Sequence, residues 1–98
     1  MVKYSLSKKA LTDLRNIWNY TVETWSEEQA DRYYQDLIHA IESIASDPES
    51  IGRSYEEVRT GYRGLHSGRH IVFYRILSNK RVRIIRILHE RMDFRRHL

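Results

Sequence analysis

Residues 69–89 read RHIVFYRILSNKRVRIIRILH, and their folding decides the architecture. Two apolar runs, Arg69–Leu77 and Arg81–His89, are rich in β-branched and aromatic residues and flank the turn-forming Ser78-Asn79-Lys80. Their middles are apolar on both faces, as in the central strands of a sheet. A two-residue loop at Asn79-Lys80 sets Leu77 opposite Val82, Tyr74 opposite Ile85 and His70 opposite His89. Val72, Tyr74, Ile76, Ile85 and Ile87 then share the face expected to pack on helices. Ile71, Phe73, Arg75, Leu77, Ile84, Arg86 and Leu88 share the other. A three-residue loop would instead pair His89 with Arg69. In either register the SGRH turn (67–70) and the LHERMD stretch (88–93) meet at one edge of the sheet.

Outward from this hairpin, Tyr62–His66 reads as a third strand, joined through Ser67-Gly68. The polar, glycine-punctuated stretch from Pro48 to Gly61 is a loop, with a short strand expected near Glu57–Arg59. Val2, Tyr4 and Leu6 alternate as an opening strand. Ser7 stands at an N-cap position, followed at helical spacing by Ala10, Leu14, Ile17, Trp18, Val22 and Trp25. Ser26 and Gln29 form a capping-box pattern ahead of Ala30, Tyr33, Tyr34, Leu37, Ile41 and Ile44, and Asp47-Pro48 stops that helix. With almost nothing between them, the helices must fold back as a hairpin, and their stripes, Trp and Tyr included, read as core. The predicted fold is α+β, β-α-α-β-β-β: an antiparallel sheet with a helical hairpin on one face, in one domain over residues 1–98.

The composition bounds the partners. The chain of 98 residues has no cysteine, which excludes disulfides and Cys-based zinc sites. Met1-Val2-Lys3-Tyr4-Ser5 lacks an apolar signal core, so the cytoplasm is the expected compartment. The formal charge of +4 conceals a division: residues 1–58 sum to −5 and residues 59–98 to +9. Ten of the eleven cations in the second part are arginine, whose planar fork suits phosphate and carboxylate. Such a field favours nucleic acid or an acidic protein partner.

Several side chains at the shared edge could carry chemistry. His66, His70, His89 and His97 lack the short spacing of a zinc site, so no metal is expected. Metal-free RNA cleavage needs a base, an acid and a cation near the phosphate, roles open to His70, His89 and Arg91. His89 and Glu90, adjacent in sequence, could cooperate only if the strand ends there.

LSKKALTDLRNIWNYT (6–21), GYRGLHSGRHIVFYRI (61–76) and VRIIRILHERMD (82–93) resemble the ParE branch of the ParE/RelE toxins of bacterial type II toxin–antitoxin pairs. The likeness covers essentially the whole chain in order, and its most specific part is the ending. It implies the same β-α-α-β-β-β fold. It also implies a toxin that arrests growth by trapping DNA gyrase on cleaved DNA, with no cofactor or catalytic chemistry of its own. DNA would be met only indirectly, through gyrase.

RelE-like relatives instead cut mRNA on the ribosome with scattered basic residues and a late tyrosine. Arg91 holds one of their arginine positions and His70 stands where they keep another. No tyrosine follows Asp93, only His97, which favours gyrase over the ribosome. A basic module that merely contacts phosphates is the remaining alternative.

The expected target-binding edge comprises Arg69, His70, His89, Glu90, Arg91, Asp93 and His97. The resemblance further implies a cognate acidic antitoxin, ribbon-helix-helix with a disordered segment, expected on Phe73, Arg75, Ile84 and Arg86. Residues 94–98 should bury little, so their deletion is expected to cost at most about 1 kcal/mol.

Overall fold

The computed structural model describes residues 4–98, so Val2 of the expected opening strand lies outside the described residues. The elements are β1 (Tyr4–Leu6), α1 (Lys8–Thr24), α2 (Glu27–Ser46), β2 (Arg53–Ser54), β3 (Arg63–Ser67), β4 (His70–Ile76) and β5 (Val82–His89), with a 3-10 turn at Phe94–Arg96. The five-stranded sheet has the order β1-β5-β4-β3-β2, with the helical hairpin on one face. The α+β class and the order of elements follow the sequence reading. The sheet, however, is mixed rather than wholly antiparallel, because β1 runs parallel to β5, Tyr4 beside Val82 and Leu6 beside Ile84. β2 occupies the β3 edge, which leaves β5 as the edge where the opening strand can dock.

Ser7 ties the first helix to this edge. Its hydroxyl accepts from Ala10 N–H at 3.0 Å as an N-cap and donates to the Ile85 carbonyl at 2.6 Å. Ser26 caps α2 in the same way through Gln29 N–H. Ala10 and Leu14 of α1 and Leu37, Ile41 and Ile44 of α2 meet Val72, Tyr74, Val82, Ile84 and Ile87 in the main core. Trp25 does not join them: it is the C-cap of α1 and 67% exposed. The helical period continues to residue 25, but the helix itself ends at Thr24, so the indole swings out of the stripe.

The hairpin combines both expected registers. Leu77 N–H bonds to the Arg81 carbonyl, closing a three-residue turn over Ser78–Lys80 with Lys80 left-handed at φ 65°. Ile76 therefore faces Val82 and Tyr74 faces Ile84. A bulge between Phe73 and Tyr74 on the β4 side leaves Ile85 as the extra residue of β5, and from there Phe73 faces Arg86 and His70 faces His89. The bulge exchanges two expected positions. Ile84 is buried in the helix-side core, and Ile85 turns to the opposite face.

That opposite face is not an open arginine surface. Tyr55, Tyr62, Ile71, Phe73 and Leu88 form a second core, against which Val58, Ile85, Phe94 and Leu98 pack. The Phe94 ring meets Phe73 edge-on at 4.9 Å and Tyr55 at 6.0 Å. Gly64 makes room for this layer: an added Cβ would lie 2.7 Å from the Tyr55 ring. The short strand expected near Glu57–Arg59 falls instead at Arg53–Ser54, paired with Gly64 and Arg63. Residues 56–61 turn back on themselves, with Val58 and Arg59 N–H both bonded to the Tyr55 carbonyl, to bring Val58 and Tyr62 under the sheet.

Candidate functional site

The sheet edge predicted from the hairpin does assemble. Glu90 N–H bonds to the Arg69 carbonyl at 2.9 Å, holding the end of β5 against the start of β4. Beside it lies a groove of about 680 Å³. Its floor and one wall are Arg69, His70, His89 and Arg91; the other wall is Tyr20, Thr21 and Trp25 of α1 and its cap, with Tyr33 of α2 between. Tyr20 is 66% exposed, so this rim offers two large aromatic faces to solvent beside two arginines. Arg91 has no carboxylate within ion-pair distance among the described residues.

Tyr33 organises the floor. Its hydroxyl accepts from Arg69 N–H at 2.9 Å and lies 2.6 Å from His70 Nδ1. Gly68, at φ +60°, makes the approach possible, since a Cβ there would sit 2.5 Å from the tyrosine ring. His70 and His89 stack edge-on with ring centroids 5.4 Å apart. Burial, and next the neighbouring His89, push the His70 pKa down from 6.5 to about 4. Burial likewise raises that of Tyr33. The Tyr33 hydroxyl has a second acceptor within reach, the Ser67 carbonyl at 3.3 Å. His89 Nδ1 accepts from Arg91 N–H at 3.2 Å, which leaves its ring N–H at Nε2. With Arg69 and Arg91 beside the imidazoles, the floor offers guanidinium groups and ring N–H, a surface for anions and carbonyl oxygens.

The His70 shift predicts a pH profile. An unfolded chain takes up a proton near 6.5 that the folded chain refuses until about 4, so this contribution to stability is intact above 6.5 and lost progressively down to about 4. Denaturant melts across that range should show the decline, and His70→Gln should flatten it. An unchanged profile in the variant would place the titration elsewhere.

The other expected edge residues separate. Strand β5 ends at His89, and Glu90 turns away from the groove to accept from His66 Nε2 at 2.7 Å, with Arg69 at 3.5 Å. The His66 hydrogen bond, foremost, holds the Glu90 carboxyl below its usual range. His89 and Glu90 thus do not face a common point. Asp93 caps the 3-10 turn by accepting from Arg95 N–H. His97 lies on the opposite side of the sheet, where its carbonyl accepts from Arg86.

Of the residues expected to meet an antitoxin, Phe73 and Ile84 are fully buried and Arg86 is committed to Asp13 at 2.8 Å. Arg75 alone keeps an exposed side chain. Sequence reasoning missed Trp25 and Tyr33 as site residues because aromatic residues at helical spacing read as core, and it missed Tyr20 because that residue lies off the apolar stripe and drew no reading. The signal available was Trp25 immediately before the Ser26 cap, one step beyond the helix.

A two-helix hairpin over this mixed sheet is the fold of the ParE/RelE toxins. It superposes on a chain of the chromosomal ParDE toxin–antitoxin system of P. aeruginosa with TM-score 0.78 at 24% identity, covering 91% of this chain and 96% of that one. The RelBE2 toxin–antitoxin complex of Mycobacterium tuberculosis gives TM-score 0.69 at 16% identity, covering 91% and 98%. Residues 4–94 match the family model described as "ParE toxin of type II toxin-antitoxin system, parDE". Toxin ParE1 of Caulobacter vibrioides is 46% identical over 98 residues, 100% of this chain and 99% of that protein. Toxin ParE1 of Mycobacterium tuberculosis is 42% identical over 96 residues, 98% and 97%. The chain belongs to the ParE toxin family of type II toxin–antitoxin systems.

Among the described residues no helix is long and apolar enough to cross a membrane.

Proposed function

We propose that this toxin inhibits DNA gyrase through the groove at the β4–β5 edge and is silenced in the cytoplasm by a cognate acidic antitoxin. The observation that carries the reading is the convergence of Arg69, His70, His89 and Arg91 beside the exposed Tyr20 and Trp25. An interface of exposed aromatics and arginines has the composition of a protein-binding hot spot. The same composition suits an antitoxin segment that is acidic and carries apolar anchors, since ordering such a segment must be offset by apolar burial. The antitoxin is therefore proposed to lie along the groove, rather than to contact Phe73 or Ile84; Arg75, beside Tyr62 on the other face of the sheet, would be met only by a segment that continues around the sheet. Purified protein should inhibit gyrase supercoiling and leave mRNA intact on programmed ribosomes. Codon-positioned cleavage without any effect on supercoiling would overturn this reading.

One observation favours the ribonuclease alternative: His70, His89 and Arg91 do line a single groove. Against it, the two imidazole rings touch each other rather than bracket a space for phosphate, and a His70 pushed down to about 4 is a poor base and cannot serve as the acid near neutral pH.

Arg91→Ala removes an exposed guanidinium without disturbing an ion pair, because Glu90 is engaged by His66 and Arg69 and Asp93 by Arg96. It should reduce growth arrest and gyrase inhibition by roughly tenfold or more, the loss of one well-placed hot-spot arginine. The melting temperature should stay within about a degree, as surface changes move stability little. Full toxicity in Arg91→Ala would remove this residue from the target contact.

A further inference from the structure

On the other side of the sheet lies a second concavity, of about 600 Å³. Four segments remote in sequence converge on it: the start of α1, the 55–62 loop, β5 and residues 96–98. They bring Lys8, Lys9, Arg59, Arg83 and Arg96 together, and among the described residues no Asp or Glu lines the space. The remaining arginine of the lining, Arg86, is spent on Asp13. The others are lightly held. Arg59 donates to the Leu98 carbonyl oxygen and Arg83 to the Ser5 hydroxyl. Arg96 reaches Asp93 only at 3.7 Å, with both side chains largely exposed. Lys8 and Lys9 make no ion pair among the described residues. They also stand in the first turn of α1, where cations oppose the helix dipole, so the fold gives no reason for them.

We propose that this cleft binds the sugar–phosphate backbone of duplex DNA directly. Charge selects an anion, and the lack of apolar anchors selects phosphate over an acidic peptide. A peptide that orders on binding must bury apolar side chains, but here Tyr62 is buried and Ile85 and Leu98 are packed into the second core. The exposed aromatics all belong to the groove on the opposite side. Arginine and lysine with no polar network to read base edges give affinity without sequence preference. This goes beyond the gyrase reading, in which DNA is met only through the enzyme, and needs no gyrase for its test.

Anisotropy of a labelled duplex of about 20 base pairs, titrated with the full-length protein between 50 and 200 mM salt, should give a log–log slope of about −4. Lys8→Gln/Lys9→Gln/Arg96→Gln removes three exposed cations and should flatten the slope by about 3 and weaken binding at least tenfold at the lowest salt. Its melting temperature should not fall, because two of the changes relieve the helix dipole. Arg32→Gln/Arg53→Gln/Lys80→Gln, three exposed cations outside both the cleft and the groove, lowers the net charge equally and should keep most of the affinity. Equal losses in the two variants would reduce the effect to net charge and overturn the assignment, as would absence of duplex binding by the parent at 50 mM salt. Displacement of the duplex by poly-glutamate at equal charge concentration would reassign the cleft to an acidic protein segment. Supercoiling assays on the same proteins separate the two readings, because gyrase inhibition can survive or fail independently of naked-duplex binding.

Discussion

Deletion of residues 94–98 should destabilise the protein by about 3 kcal/mol or more, the range found when large apolar side chains are removed from a core. The segment was expected to bury little: Phe94-Arg95-Arg96-His97-Leu98 follows the last strand, and two of its five residues are arginine. Yet Phe94 and Leu98 close the second core over Phe73, Ile71 and Leu88. The deletion would bare Phe73, now fully buried, and remove the carbonyl acceptors of Arg59 and Arg86. For a domain of this size about 3 kcal/mol is a large part of the whole stability and some 10–20 °C in melting temperature. Urea melts decide the matter, with Phe94→Leu as the milder companion, expected near 1 kcal/mol because most of the buried volume stays. A deletion mutant that melts like its parent would mean that these contacts contribute nothing. Where the deletion does lower the melt, loss of toxicity on truncation signifies a damaged fold, whereas Arg91→Ala tests the edge with the fold intact.

The same residues show where a sequence can be read and where it cannot. Periodicity placed both helices, their serine caps and the three long strands, because each signal is local and repeats. The meeting of Arg69 and His70 with His89 and Arg91 was also legible, since a hairpin brings its ends together in any register. What failed was non-local. The inward turn of Phe94 depends on a hydrophobic face that only the folded sheet creates. The bulge at Ile85 is one residue of backbone, invisible to an alternation of apolar side chains, and it moved Ile84 from a proposed partner surface to the interior. The parallel docking of β1 depends on which edge β2 covers. Trp25 illustrates the reverse error: it keeps the helical period after the helix has stopped, so a groove residue passed for core.

Asp13 is the residue whose replacement should be costliest. Its carboxylate accepts from Arg86 Nε at 2.8 Å, from Arg86 NH2 at 2.9 Å and from Ile87 N–H at 2.9 Å, with only 12% and 16% of the two side chains exposed. Bidentate pairing to a guanidinium is the strong form of such a contact, and it raises the Arg86 pKa further. Asp13→Ala would leave a largely buried guanidinium without its counter-charge and a strand N–H without an acceptor, at a cost of about 3–5 kcal/mol. Asp13→Asn keeps an acceptor for one donor but not the charge, and should fall between. The opposite outcome is expected when both partners go. Asp13→Leu/Arg86→Met replaces the pair by apolar groups of similar size and should recover the part of the loss due to the uncompensated guanidinium, though not the part due to the Ile87 N–H, which still lacks its acceptor. Denaturant midpoints of the two single mutants and the double mutant measure the coupling, and additive losses would show that the pair is not a unit. The functional consequence follows from position. Asp13 lies one turn before Ile17 and two before Tyr20 on the helix that walls the groove, and Arg86 lies three residues before His89 on its floor. The ion pair ties α1, which supplies the wall, to β5, which ends in the floor. The apolar double mutant, if stable, should retain groove-dependent gyrase inhibition only to the extent that the spacing of wall and floor is kept.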